Sequence, residues 1–242
     1  PWGGIWHVRG FSEQQPFTDP TVVTSKRTGG TLAVSDWATS RVSWHATAGL
    51  DRWESQGLYG RIGGTVLLTS GERASLQFGV DGWFGTHPFS RTRISGTWRT
   101  SSRRRGTVLM TSGGLEQIGR SAPLDQWSGG DVGHVGFLLL RAHPLLDDGR
   151  LLVERLGRRV VGATLEVQRW RGIGPAQVGA AAFLDVARID LQQAAESTLD
   201  ADVGFGLRIG LGGYPGILRA DLGHGLRDGD TAFSLSWASG LR

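Results

Sequence analysis

The sequence contains no cysteine. That excludes a disulfide frame, a thiol nucleophile and any thiolate metal site. Proline is sparse, at 8 of 242 residues, and lysine is almost absent beside arginine. No apolar run approaches the ~20 residues that a membrane helix needs. The longest burst, Phe137 to Leu140, is followed at once by Arg141. Charge of one sign is also scarce: the formal net charge is +4, and the one dense basic run is Arg103-Arg104-Arg105. Such a run reads as a solvated hairpin tip or a headgroup contact before it reads as a nucleic-acid patch, so no nucleic-acid partner is expected. There is no Gly-x-Ser-x-Gly elbow, no His-Glu-x-x-His and no P-loop. The histidines are dispersed, and His45 with Ser43 has no identifiable carboxylate to orient it. No catalytic residue, cofactor or metal site is expected. The chain starts at Pro1 without a signal-peptide pattern, so a processed form or an excised segment is expected.

What is abundant is glycine, 39 residues without a three-residue period, together with 10 tryptophans and strict alternation. Val203, Phe205, Leu207, Ile209 and Leu211 share one face, against Asp202, Gly204, Gly206, Arg208 and Gly210 on the other. Leu218, Ala220 and Leu222 oppose Arg219, Asp221 and Gly223, and Phe233, Leu235 and Trp237 oppose Ser234 and Ser236. The same pattern holds upstream over 41–50 and 75–81. A soluble sandwich would share the period. A polar face rich in Gly, Ser and Arg, and Trp37, Trp53, Trp83, Trp98, Trp170 and Trp237 near strand ends, fit a barrel in lipid with aromatic girdles. The expected fold is therefore all-β: a transmembrane antiparallel up-and-down β-barrel of about 12 strands (12–16). Thirteen segments can be drawn, at 2–11, 20–27, 30–38, 41–52, 57–69, 72–84, 88–100, 104–118, 158–171, 175–189, 200–212, 216–225 and 230–238. Bacterial single-chain barrels have even strand numbers, so one segment is surplus and twelve strands are expected.

Residues 119–157 form the one long connection. Leu138–Leu140 and Leu145-Leu146 make it too apolar for a solvated linker, so it is expected to fold back into the barrel. Alternation turns Phe183 and Asp185 inward, with Leu184 and Val186 toward lipid, and turns Glu166 inward between Leu165 and Val167. Two carboxylates in a narrow lumen need a cation. Arg141 on the loop can supply a bidentate guanidinium, with Phe183 as a stacking face. Alternatively, Arg141 faces solvent and the carboxylates pair with Arg169 or Arg208. Arg208, Arg219 and Asp221 also point inward and read as a self-neutralising lumen lining.

From about residue 104 to 238 the order of motifs resembles the bacterial surface-antigen family of outer-membrane barrels, the BamA-type and TamA-type assembly factors and their relatives. The strand Thr107–Ile118 precedes a loop with Pro123 and Gly129-Gly130, then Leu140-Arg141-Ala142-His143-Pro144, where the family has a Val-Arg-Gly-aromatic motif. Glu166, the Phe183-x-Asp185 strand, Gly204-x-Gly206-x-Arg208, Arg219-x-Asp221 and an aromatic last strand follow in the family's order. Ala142 and His143 stand where the family has Gly and an aromatic residue. A more literal copy, Val8-Arg9-Gly10-Phe11, lacks the strands that should follow it.

The resemblance implies that Arg141, Glu166, Phe183 and Asp185 form a lumen latch. It implies a bacterial outer-membrane location and a role in inserting or secreting proteins there. The partners it implies are outer-membrane lipids, unfolded outer-membrane or secreted client proteins, and periplasmic partners. Residues 1–242 read as a single barrel domain with no POTRA domain in this segment. The alternatives are a passive small-solute pore, the membrane anchor of a longer secreted protein, or a soluble β-barrel binding module.

Overall fold

The computed structural model describes residues 4–18, 24–129, 140–191, 197–211 and 216–238. They form fifteen strands in one sheet, with two single turns of 3₁₀ helix at Leu124–Gln126 and Val153–Arg155. Twelve strands are long. Seven precede the long connection: β1 (Ile5–Thr18), β2 (Thr24–Thr39), β3 (Val42–Trp53), β4 (Gly57–Ser70), β5 (Ala74–Phe84), β6 (Phe89–Arg99) and β7 (Gly106–Ile118). Three short strands, β8 (Ser128–Gly129), β9 (Leu146–Asp147) and β10 (Arg150–Leu152), lie in the connection. Five long strands follow it: β11 (Leu156–Ile173), β12 (Ala176–Leu191), β13 (Ser197–Leu211), β14 (Ile217–Gly225) and β15 (Thr231–Ala238).

Each long strand pairs antiparallel with its neighbours in chain order, and β7 pairs with β11 across the connection. This is the up-and-down barrel expected from the alternation. The surplus segment comes from the break drawn at Thr28-Gly29, because residues 24–39 are one continuous strand. In the fold Gly29 is a gap rather than a bend: a Cβ there would meet Phe11 Cζ at 2.6 Å and Asp51 Oδ1 at 2.8 Å. Tight turns such as those at Gly71 and Gly174 do use positive φ, 58° and 57°.

The outer face of β11 shows why this sheet suits a bilayer. Arg159, Val161, Ala163, Leu165, Val167 and Arg169 all point outward and are exposed. The two arginines bound an apolar band about 10 residues long, which at the usual rise and tilt spans ~25 Å, the height of a transmembrane barrel's apolar belt. Val66, Phe78, Val80, Leu184, Phe205, Leu207 and Phe233 continue the exposed apolar surface on other strands.

The girdle reading of the tryptophans needs correction. Trp37, Trp98 and Trp237 are exposed, but Trp53, Trp83 and Trp170 are buried in the interior. There Trp53, Tyr59, Trp83 and Phe89 form a ring cluster with centroids 4.7–6.1 Å apart. Proximity to a strand end is a weaker signal than parity: Trp53 shares its face with Asp51, and Trp83 with Asp81.

Among the described residues, β15 pairs only with β14. Strand β1 pairs with β2 along its length, and its other edge is met only at Phe17 and Thr18, by parallel pairing with β10.

Candidate functional site

The connection between Ile118 and Leu156 approaches the barrel interior with both its ends. Its first part places Trp127 and Ala122 in the aromatic core, and its last part adds Leu145, Leu151 and Leu156. Asp125 accepts a 2.8 Å hydrogen bond from the Trp53 indole nitrogen. Burial raises the Asp125 carboxyl above its ordinary range, against the lowering effect of that bond. Arg91 donates to the Gln126 carbonyl at 2.5 Å, and Ser128 donates to the Glu116 carboxylate. Leu138 and Leu139, part of the apolar burst in the sequence, and Gly130 lie outside the described residues.

Between these two ends, Arg141 is buried at 3% exposure against the C-terminal strands. It donates to Glu166 at 2.9 Å, lies 3.4 Å from Asp185 and 3.7 Å from Asp221, and its Cζ sits 3.6 Å from the Phe183 ring centroid. The four residues expected to form a latch are thus brought together. The alternative pairing occurs beside it: Arg208 contacts Glu166 at 2.9 Å and Asp221 at 2.5 Å, and Arg219 reaches Glu166 at 2.9 Å. Arg169 takes no part; it turns outward and donates to Thr107. Arg208, Arg219 and Asp221 are therefore members of one network with the loop arginine, in addition to lining the lumen.

Two members of the site are not among the residues expected from sequence, Asp202 and His143. Asp202 accepts a 2.7 Å hydrogen bond from the Ala142 backbone N–H and lies 2.7 Å from His143 Nδ1. His143 Nε2 is 2.8 Å from Asp228. With carboxylate oxygens on both ring nitrogens, the ring makes both contacts only when both nitrogens carry protons. The hydrogen bond to Asp202, first among the causes, raises the His143 pKa above its ordinary value. Around the site, Glu166, Asp185, Asp202 and Asp221 face Arg141, Arg208 and Arg219, and a proton on His143 is shared with Asp202 and Asp228. The parity of Asp202 with Gly204 and Arg208 was the available signal for one of these two residues. His143 occupies a position where the family motif has an aromatic ring, so its ionic role had none.

The inward-facing glycines make this packing possible. A Cβ on Gly223 would meet the Arg141 carbonyl carbon at 2.8 Å and the Ala142 nitrogen at 2.9 Å. One on Gly206 would collide with the Asp221 carboxylate and Arg208, and one on Gly204 with the Phe183 ring. Glycine on the polar face is therefore the volume into which loop backbone and guanidinium stacks fit.

Arg9, in the other copy of the motif, lies on β1 outside this network. It is exposed and 3.8 Å from Glu13.

No family model matches the sequence, and no curated protein matches it. Among solved structures, the chain is similar to BamA from Haemophilus ducreyi lacking POTRA domains 1–3, with a TM-score of 0.66 and 13% sequence identity. The match covers 97% of this chain and 58% of that chain. The β domain of the Bordetella autotransporter BrkA aligns over 97% of this chain and 95% of its own, at 12% identity and a TM-score of 0.38. The first likeness shows the fold, and the second is too slight to bear on it. The chain spans a little over half of the BamA chain it matches.

Proposed function

We infer that this chain, a barrel of BamA-type fold in the bacterial outer membrane, acts in inserting or translocating proteins there, with unfolded outer-membrane or secreted proteins as clients. The observation that carries the reading is the seam. Among the described residues, β15 has a partner on one edge only, and the free edge of β1 is met only at Phe17 and Thr18. Unpaired strand edges are templates for an incoming strand, so a client can add to the sheet by β-augmentation. The described parts of the loop meanwhile pack inside the barrel. Arg141 and its partners occupy one half and the Trp53–Phe89 aromatic cluster the other, which favours this reading over a passive small-solute pore.

The test is to reconstitute the full chain in lipid vesicles and follow the folding of an unfolded outer-membrane barrel added from outside. The expected result is faster client folding than in empty vesicles. Joining cysteines placed at Val8 and Phe233 with a short bismaleimide should abolish the gain, in a chain with no native cysteine to interfere. Client folding at the empty-vesicle rate, with rapid leakage of small solutes, would overturn the reading in favour of a pore.

A further inference from the structure

One end of the barrel is built from tight turns and is rich in arginine. The β6–β7 hairpin tip carries Arg103, Arg104 and Arg105. The Ser101 hydroxyl accepts the Arg103 N–H at 3.1 Å, and the Arg105 N–H bonds the Arg103 carbonyl at 2.9 Å, so the tip is curled rather than extended. Arg104 turns across the mouth toward the inward-facing Gly210, where a Cβ would meet its NH1 at 2.7 Å. Arg103 and Arg105 stay exposed.

The neighbouring strand adds two more arginines on the lipid side. Arg169 and Arg171 continue the outward face of Leu165 and Val167, and both are exposed. Arg169 is held there by its 2.7 Å hydrogen bond to Thr107. Register fixes their proximity to the tip: Gly106, next to Arg105, pairs with Trp170, between Arg169 and Arg171. Among the described residues none of these four arginines has an ion-pair partner within 4.0 Å. By contrast, the outward Arg188 at the other end of the sheet is 3.7 Å from Asp190. At the same end, the β4–β5 turn adds Arg73, against Glu72, and the β2–β3 turn adds Arg41.

We propose that Arg103, Arg105, Arg169 and Arg171 form a binding site for the phosphodiester headgroup of an anionic glycerophospholipid. Four arginines that the register brings to one rim, without a carboxylate within ion-pair distance, attract a multivalent oxygen anion. They lie directly beyond the apolar band of β11, at the depth of lipid phosphates, with acyl chains able to run along Leu109, Leu165 and Val167. Short turns face the periplasm in outer-membrane barrels, and the leaflet there is phospholipid. The lumen carboxylates that hold Arg141 are out of reach of Arg169 and Arg171, because their strand positions face outward.

The experiment titrates the detergent-folded full chain with dioctanoyl phosphatidylglycerol, dioctanoyl phosphatidylcholine and lipopolysaccharide, reading thermal unfolding by heat-modifiable gel migration. Phosphatidylglycerol should raise the midpoint with saturation, and 0.5 M salt should weaken it at least tenfold. The R103Q/R105Q/R169Q/R171Q variant should fold, by the same gel shift, yet lose affinity at least tenfold. R52Q/R159Q, which removes two arginines elsewhere, should bind as the native chain does. Equal response to phosphatidylcholine, tighter binding of lipopolysaccharide, or unchanged affinity in the fourfold variant would each overturn the site. Should that variant fail to fold, salt-insensitive binding by the native chain would overturn it instead.

Discussion

The two halves of the barrel interior hold the same loop by different chemistry. In the C-terminal half, Arg141, Arg208 and Arg219 converge on Glu166, each at 2.9 Å, with Asp185, Asp202, Asp221 and His143 around them. In the N-terminal half, arginines sit between carboxylates and rings: Arg27 with Asp51, Trp53 and Phe11, Arg61 with Asp81 and Trp83, and Arg91 with Glu116 and Trp83, while Arg93 joins Arg61 on Asp81. The loop meets the first half with Arg141 and His143 and the second with Trp127, Leu145 and Leu151. Aromatic packing is additive and forgiving of small displacements. A buried ion network is not, because deleting one member strands the others in low dielectric.

The charged half should therefore be the more brittle. Glu166→Gln leaves three guanidiniums without their shared partner and should cost ~3–5 kcal/mol, measured by urea unfolding in vesicles. Next in size, Arg141→Ala and Asp185→Ala should each destabilise the barrel and raise lumen conductance. Their double mutant should fall short of the sum by ~0.5–3 kcal/mol, and additive costs would mean that the pair does not act together. In the aromatic half, Trp83→Phe keeps a ring beside Phe89 but loses the 2.6 Å hydrogen bond to Asp51, for about 2 kcal/mol.

A gentler probe uses pH. The folded pKa of His143 is raised above its ordinary 6.5 by its bond to Asp202, so its contribution is complete below that value and lost as pH rises through the folded pKa. Protease protection of the loop should decline over that window above 6.5, and His143→Phe should flatten the profile. A native profile that does not change with pH would mean that the imidazolium does not hold the loop. The smallest effect is expected at Arg9→Ala, within ~0.5 kcal/mol, since its ion pair with Glu13 is exposed. A large loss there would shift attention to the N-terminal copy of the motif.

Much of this is legible in the chain itself. Period-two alternation locates the long strands and turns Glu166, Phe183, Asp185, Arg208, Arg219 and Asp221 inward. The departures have one source. Thr28-Gly29 reads as a break between strands, and Trp53, Trp83 and Trp170 read as a lipid girdle, when local signals are weighed without what lies across the lumen. Gly29 is small because Phe11 and Asp51 crowd it. Trp53 and Trp83 are large because they fill space next to Tyr59 and Phe89.

Alternation, a property of neighbouring residues along one strand, determined by itself most of where the chain runs as strand, though not residues 12–18 of β1 or the continuity of β2, and turned the latch residues inward. It could not say which inward residues meet, because contacts across the lumen join positions such as Ala142 and Asp202, 60 residues apart. Only the tertiary structure decided that His143 lies between Asp202 and Asp228, that glycines on the polar face admit the loop, and that four arginines of one rim have no carboxylate partner among the described residues. Those outcomes depend on how the sheet wraps around a fixed volume, where each side chain competes for space and for counter-charge with residues remote in sequence.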